Sequence, residues 1–202
     1  MNLSIPVYGD PLVDQLIADY FDENEASRVC AEQHLMDHAC MVIDHITLRC
    51  ADIASRVTPF LTRGYLDRGE VVEYPTQGWW ARIYRKERYP ALFIDQAYTG
   101  SEGEKSIIPH WVAKFGDQCL HHIAVRVDDI EQWKKKLEKL GTEFSGEVIG
   151  HLGTRLRQIF TASEVRDGEP YSVLELIERN GYDGFYPEQA DSLMQSSTKI
   201  KS

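Results

Sequence analysis

Two ten-residue stretches carry the same chemically useful side chains in the same order. DHITLRCADI occupies 44–53 and HHIAVRVDDI occupies 121–130. Laid on one another, they align His45 with His122 and Arg49 with Arg126, from 45 to 122 an offset of 77 residues. Both read as strands, in which residues two and four apart share a face. His45, Thr47 and Arg49 therefore point one way, and so do His122, Ala124 and Arg126. Two neutral imidazoles delivered from equivalent strands suit Fe, Zn, Ni or Cu. A third donor must come from another strand, and SVLELIER offers Glu175. The matching position of the first copy falls at or beside Phe93, which is no ligand. Two histidines and one carboxylate with open coordination positions is the donor set of non-haem Fe(II) oxygenases. His121 competes with His122. The repeat favours His122 and turns His121 to the opposite face.

Arg49 lies four residues beyond His45, roughly 13 Å along the strand. Its fork suits a carboxylate on a ligand anchored at the metal, or an ordinary ion pair at a strand end. Arg126 has the same two readings, with the ion pair favoured. Asp95 and Gln96 are the candidates for a fourth donor if the strand register slips by a residue. His34 and His38 are four apart on an expected helix. HLMDH lacks the glutamate of a zinc-protease helix, so a solvated face is expected there. His110 and His151 fall in loop-like stretches. Trp79 and Trp80 either wall a pocket or fill a core.

The elements that must position these residues follow from periodicity. Asp10 and Pro11 open a helix whose Leu12, Leu16, Ile17, Tyr20 and Phe21 recur at helical spacing. A second helix is expected over about 25–38, with Val29, Leu35 and Met36 inward. After the strand at 41–50 come a helix over 53–61 and the strand-like runs EVVEY, WWARIYR and ALFID. After CLHHIAVRV come DDIEQWKKKLEKLG, an amphipathic helix closed by Gly141, and strand-like runs near EVIGHL, TRLRQIFTA and YSVLELIER. The repeat thus covers a whole unit, and the expected fold is α+β. Two βαβββ modules form a curved, half-open mixed sheet around the metal site, preceded by helices. The boundaries are 1–40 for the helical segment, 41–97 for the first module, 98–117 for a linker, 118–185 for the second module and 186–202 for a short helix and tail.

Composition bounds the partners. The 202 residues carry 22 basic and 32 acidic side chains, a formal charge of −10. That balance disfavours nucleic acid and anionic membranes. No apolar run reaches the ~18 residues of a membrane span. The opening MNLSIPVYGDPL lacks the layout of a secretion signal, so a soluble, cytoplasmic protein is expected. Cys30, Cys40, Cys50 and Cys119 form no C-x-x-C pair and are expected reduced, mostly buried, and not a zinc knuckle.

Paired modules with metal ligands on first and last strands resemble the vicinal oxygen chelate superfamily, also called the glyoxalase/bleomycin-resistance/dioxygenase superfamily. HHIAVRVDDI, LRQIFT and LELIERNGYDGF are similar to the catalytic half of 4-hydroxyphenylpyruvate dioxygenases. That resemblance implies metal ligands at His122 and Glu175, a substrate-side glutamine at Gln158 and an aromatic lid region at Phe185. DHITLRC and the helices before it resemble the 2-oxoadipate dioxygenase/decarboxylase (hydroxyglutarate synthase) family. There the pattern implies a metal ligand at His45 and a grip on the distal carboxylate at Arg49. The expectation is an Fe(II)-dependent dioxygenase that takes a small 2-oxo acid and O2 through oxidative decarboxylation and hydroxylation, as a possible homodimer. The alternatives are a non-redox lyase or isomerase of the glyoxalase type using Zn, Ni or Mn, and a non-catalytic protein that binds a metal or small ligand.

Overall fold

A computed structural model describes residues 5–200. Asp10 caps helix α1 (Pro11–Glu23), accepting from the backbone N–H groups of Leu12 and Val13. Asn24 then caps α2 (Glu25–Met36) through Ser27 N–H. The first module follows as β1 (Ile43–Cys50), α3 (Ile53–Leu61), β2 (Leu66–Tyr74), β3 (Trp79–Arg85) and β4 (Ala91–Ala97). Helix α4 (Ile108–Phe115) leads to the second: β5 (Leu120–Arg126), α5 (Ile130–Lys139), β6 (Leu156–Phe160), β7 (Glu164–Arg166) and β8 (Glu169–Arg179). Helix α6 (Pro187–Ser196) closes the described chain. Ile43 to Leu120, and Ile53 to Ile130, are each 77 residues apart, so strand and helix both repeat at the offset of the sequence motif.

The strands form one curled, half-barrel mixed sheet in the order β2-β3-β4-β1-β5-β8-β6, with β7 on β8. β1 and β5 pair antiparallel at its centre, and each is flanked by a parallel partner, β4 and β8. Ile46 lies opposite Ile123, with His45 opposite Ala124 and Thr47 opposite His122. A local twofold relation therefore runs between the two isoleucines, and it sets both histidines on one face. Ile46 and Ile123 face the other way, into the main core formed with Val13, Ile17, Val57 and Leu137 of the helices. Both isoleucines are fully buried. Ile123→Ala is expected to cost about 2–5 kcal/mol in urea unfolding, with metal affinity kept, because the cavity opens on the helix side of the sheet.

Several expectations change. Leu35 and Met36 are exposed, because α2 packs a stripe of smaller residues (Ala26, Ser27, Cys30, Ala31) and His34 against the core. His34 is buried, not solvated: it stacks on Trp133 at 4.1 Å and its Nδ1 lies 2.9 Å from Cys30 O. The helix ends at Met36, and exposed His38 has left-handed backbone (φ 53°), so the two histidines share no face. The stretch expected as a linker contains α4, whose Trp111 indole N–H donates to Tyr171 O at 2.9 Å. EVIGHL is not a strand; Ile149 makes one isolated bridge to Gln158. Gly150 there has φ +95°, and a Cβ would come within 2.4 Å of Leu156 O. The missing strand is β7, joined to β8 by Asp167-Gly168, both at positive φ as a tight hairpin requires. Among the described residues no helix is long and apolar enough to cross a membrane. All four cysteines are free; Cys30 and Cys50 are buried, Cys119 is half-buried and Cys40 is exposed.

Candidate metal centre

The concave face of the sheet gathers the side chains named above. His45 from β1, His122 from β5 and Glu175 from β8 are all buried, and their donor atoms lie within 4.8 Å of one another. Glu175 Oε2 is 3.2 Å from His45 Nε2 and 3.4 Å from His122 Nε2. Donors about 2.0–2.2 Å from one ion, at neighbouring corners of a polyhedron, stand about 3 Å apart, so the donor set fits a divalent metal. Gln158 on β6 donates its amide N–H to Glu175 Oε1 at 2.7 Å. That bond holds the carboxylate with its other oxygen toward the imidazoles. Gln158 is thus engaged with Glu175.

Each histidine is held from behind by the residue before it. His45 Nδ1 lies 3.0 Å from Asp44 Oδ1, and His122 Nδ1 lies 2.9 Å from His121 Nδ1. Both preceding residues sit at irregularities in the β1–β5 pairing, between Ile43 and His45 on one strand and between Leu120 and His122 on the other. A bulge puts two consecutive residues against one, which breaks strict alternation. His121 consequently lines the cavity beside His122, contrary to the expectation of opposite faces. Asp44 and His121 were missed as a pair by strand periodicity. The signal was present: they occupy matched positions of the repeat. Such contacts fix ring orientation and tautomer. Asp44 is itself anchored by Arg179 at 2.7 and 2.9 Å and by Arg126 at 2.8 Å. Arg126 therefore forms the expected ion pair and lies outside the metal cavity.

The electrostatics of the pair are unequal. Burial opposes a charge on His45, yet Glu175 and Asp44 outweigh it and raise the imidazole to about 9. Burial, then the neighbouring His45 and Arg49, push His122 well below its ordinary value; His121 moves the same way. Without metal, one proton on His45 stands where the cation belongs. Its contribution to stability is complete below the ordinary 6.5 and is lost as pH rises through about 9. Chelator-treated protein is thus expected to lose this share of its stability across that window. Metal uptake below pH 9 is expected to release a proton, which calorimetry in buffers of different ionisation enthalpy reads directly.

Around the donors lies a cavity of about 40 Å3, walled by Trp79, Phe93, Phe160 and Phe185. Phe185 stands edge-on to His45 and to Phe93, at 5.1 Å each. Trp80 turns to the helix side and packs on the main core. Arg49 and Asp95 line the cavity, whereas Gln96 spends its amide oxygen on Ile53 N–H at the start of α3. Arg49 is 2% exposed and has no acidic hydrogen-bond partner among the described residues. Its Nη2 reaches Met194 Sδ at 3.0 Å and Ser197 Oγ at 3.3 Å, and its guanidinium lies over Trp111. Burial lowers it to about 10. Burial also raises Asp95 to about 7, against the pull of Arg49 and His45. His110 is exposed beside Glu169, and His151 is exposed; neither belongs to the cavity.

Helix α6 touches both β2 and β6, the strands at the two ends of the sheet order. It therefore lies across the open side of the half-barrel, and Leu193 and Met194 reach the cavity.

No protein-family model matches the sequence, and no curated protein is significantly similar to it. Solved structures are similar in three dimensions. Hydroxyglutarate synthase from Oryza sativa in complex with 2-oxoadipate superposes with TM-score 0.75 at 17% identity, over 93% of this chain and 91% of that one. A glyoxalase superfamily protein from Ralstonia eutropha JMP134 gives 0.64 at 14% identity, over 84% and 82%. The fold is that of the vicinal oxygen chelate superfamily. Within this vicinal oxygen chelate fold, methylmalonyl-CoA epimerase from Mycobacterium tuberculosis gives 0.51 at 17% identity, over 68% and 87%. The vicinal oxygen chelate neighbours thus span different reactions.

Proposed function

We propose that the chain is an Fe(II)-dependent dioxygenase that acts on a small 2-oxo acid. One observation carries the reading: two imidazoles and one carboxylate converge on one side of a buried point, at a cavity also lined by a buried arginine that has no carboxylate partner among the described residues. His45, His122 and Glu175 would hold the iron. Bound there, iron supplies dioxygen activation and the redox change of oxidative decarboxylation and hydroxylation. Asp44 and His121 keep the imidazoles in register, and Gln158 does the same for Glu175. Arg49 binds the distal carboxylate and so orients the acid along the cavity. Phe93, Phe160 and Phe185 exclude water from the reacting end. The likeness to a hydroxyglutarate synthase that holds 2-oxoadipate supports a 2-oxo acid as substrate class.

A non-redox lyase or epimerase is the second reading, favoured by the likeness to methylmalonyl-CoA epimerase. Such a site calls for a fourth protein donor. Asp95 lines the cavity but lies outside the group of three whose donors come together. A protein that only binds metal or ligand is the third. Anaerobic loading with Fe(II), followed by oxygen uptake on a panel of 2-oxo acids, separates them. Turnover-coupled oxygen consumption supports the proposal. Tight Zn, Ni or Mn without oxygen uptake, or metal binding with no reaction of any kind, overturns it.

A further inference from the structure

Arg49 and Asp95 occupy facing register positions on the parallel strands β1 and β4. Each is 2% exposed, and both line the metal cavity. They do not satisfy one another. Among the described residues, neither Arg49 Nε nor Asp95 Oδ1, both buried, has a hydrogen-bond partner. The Arg49 fork is turned to Met194 and Ser197 instead. Among the described residues nothing takes up Asp95 Oδ1: Gln96 is committed to α3, and His45 to Asp44 and Glu175. A buried donor or acceptor left open costs about 1–3 kcal/mol, more when charged, and an open group of this kind calls for an explanation. Here one of each belongs to a residue that lines the same small cavity.

We propose that Arg49 and Asp95 together read the distal end of the substrate as a carboxylate with an N–H or O–H donor on the adjoining carbon. The inference rests on the 2-oxo acid reading and narrows it, from plain dicarboxylates to 2-oxo acids with an amino- or hydroxy-substituted carboxylate tail. The carboxylate takes the guanidinium fork. The ammonium or hydroxyl donates to Asp95. Charge favours the same assignment. A bare carboxylate on Arg49 brings a second anion beside Asp95 in a dry pocket, where like charges repel strongly. A zwitterionic tail leaves the enclosed charges balanced, and a hydroxyl gives the carboxylate a donor without adding charge.

The test is anaerobic calorimetric titration of the Fe(II)-loaded protein with two matched pairs: 2-oxoglutarate against 4-hydroxy-2-oxoglutarate, and 2-oxosuberate against 7-amino-2-oxosuberate. In the wild type, the substituted acid of any pair that binds should be tighter by about tenfold or more, as expected for a hydrogen bond to a charged group. In Asp95→Asn, which is nearly isosteric, the preference should shrink and the plain acid should gain. A preference in either pair supports the inference, and the hydroxyl and amino arms tell the two donors apart. Equal affinities within each pair, unchanged in Asp95→Asn, overturn it and leave the dioxygenase reading standing. Failure of all four acids to bind protein that carries metal overturns that reading and the inference with it. The wild-type comparison decides even if the variant does not fold.

Discussion

Glu175→Gln is expected to strip the protein of tightly bound metal while leaving the sheet intact. Glutamine keeps the volume of a residue that is 1% exposed, and it retains an oxygen to accept from Gln158. What it removes is the anionic donor at the shared corner of both imidazoles. Outer partners of a metal site are worth about 10–100-fold in affinity, so loss of this ligand should exceed that. A second signature follows in the metal-free protein. Glu175 leads the influences that raise His45 against the penalty of burial. Without that charge the imidazole should titrate well below 9, which proton-detected NMR of the ring reads. His45→Ala should abolish the same metal signal. Near-normal metal occupancy in either variant would refute the three-ligand assignment.

Arg49→Met is expected to cut in the opposite sense on stability and on ligand binding. The guanidinium is enclosed, its Nε is unpartnered, and burial already lowers it to about 10. The penalty for the buried cation is therefore in force at every pH below that value. An apolar side chain of similar length removes that desolvation penalty, and Asp95, deprived of the cation that favours its charge, is free to neutralise. The contact with the Trp111 ring offsets part of this gain. Urea unfolding should therefore show Arg49→Met at or above the wild type. Binding of a 2-oxo dicarboxylate should fall by about tenfold or more, the loss of a charge-assisted bond, with metal affinity unchanged. A destabilised variant that binds the acid normally would show that Arg49 serves packing and nothing else.

Much of the architecture was legible because the two halves share a motif at one spacing. Period-two alternation put His45, Thr47 and Arg49 on one face, and the unbroken β1–β4 register agrees. The equivalence of Phe93 with Glu175 was also legible: Phe93 pairs with Thr47 on β1 as Glu175 pairs with Ala124 on β5. Alternation failed at the bulges, which it does not encode, and so His121 was sent to the wrong side. EVIGHL looked like a strand because of its β-branched Val148 and Ile149, yet a left-handed glycine interrupts it. The Asp-Gly of the true hairpin was the better signal. In 98–117 the Gly, Ser and Pro content hid a helix in which Pro109 suits the first turn. Leu35 and Met36 misled for a different reason: a helix buries the face its neighbours offer, and here that face is lined with small residues. The open polar atoms at Arg49 and Asp95 depend on three-dimensional neighbours, and no spacing rule exposes them.

The helix laid across the mouth of the half-barrel has a kinetic consequence. Space of about 40 Å3 holds a few waters, far less than the ~300 Å3 or more of ordinary small-molecule sites. An acid long enough to touch both the His45–His122–Glu175 corner and Arg49 meets Leu193 and Met194, which line the same cavity. Association then waits on a unimolecular opening, so the observed on-rate should level off as ligand concentration rises, at a ceiling set by how often that helix swings clear.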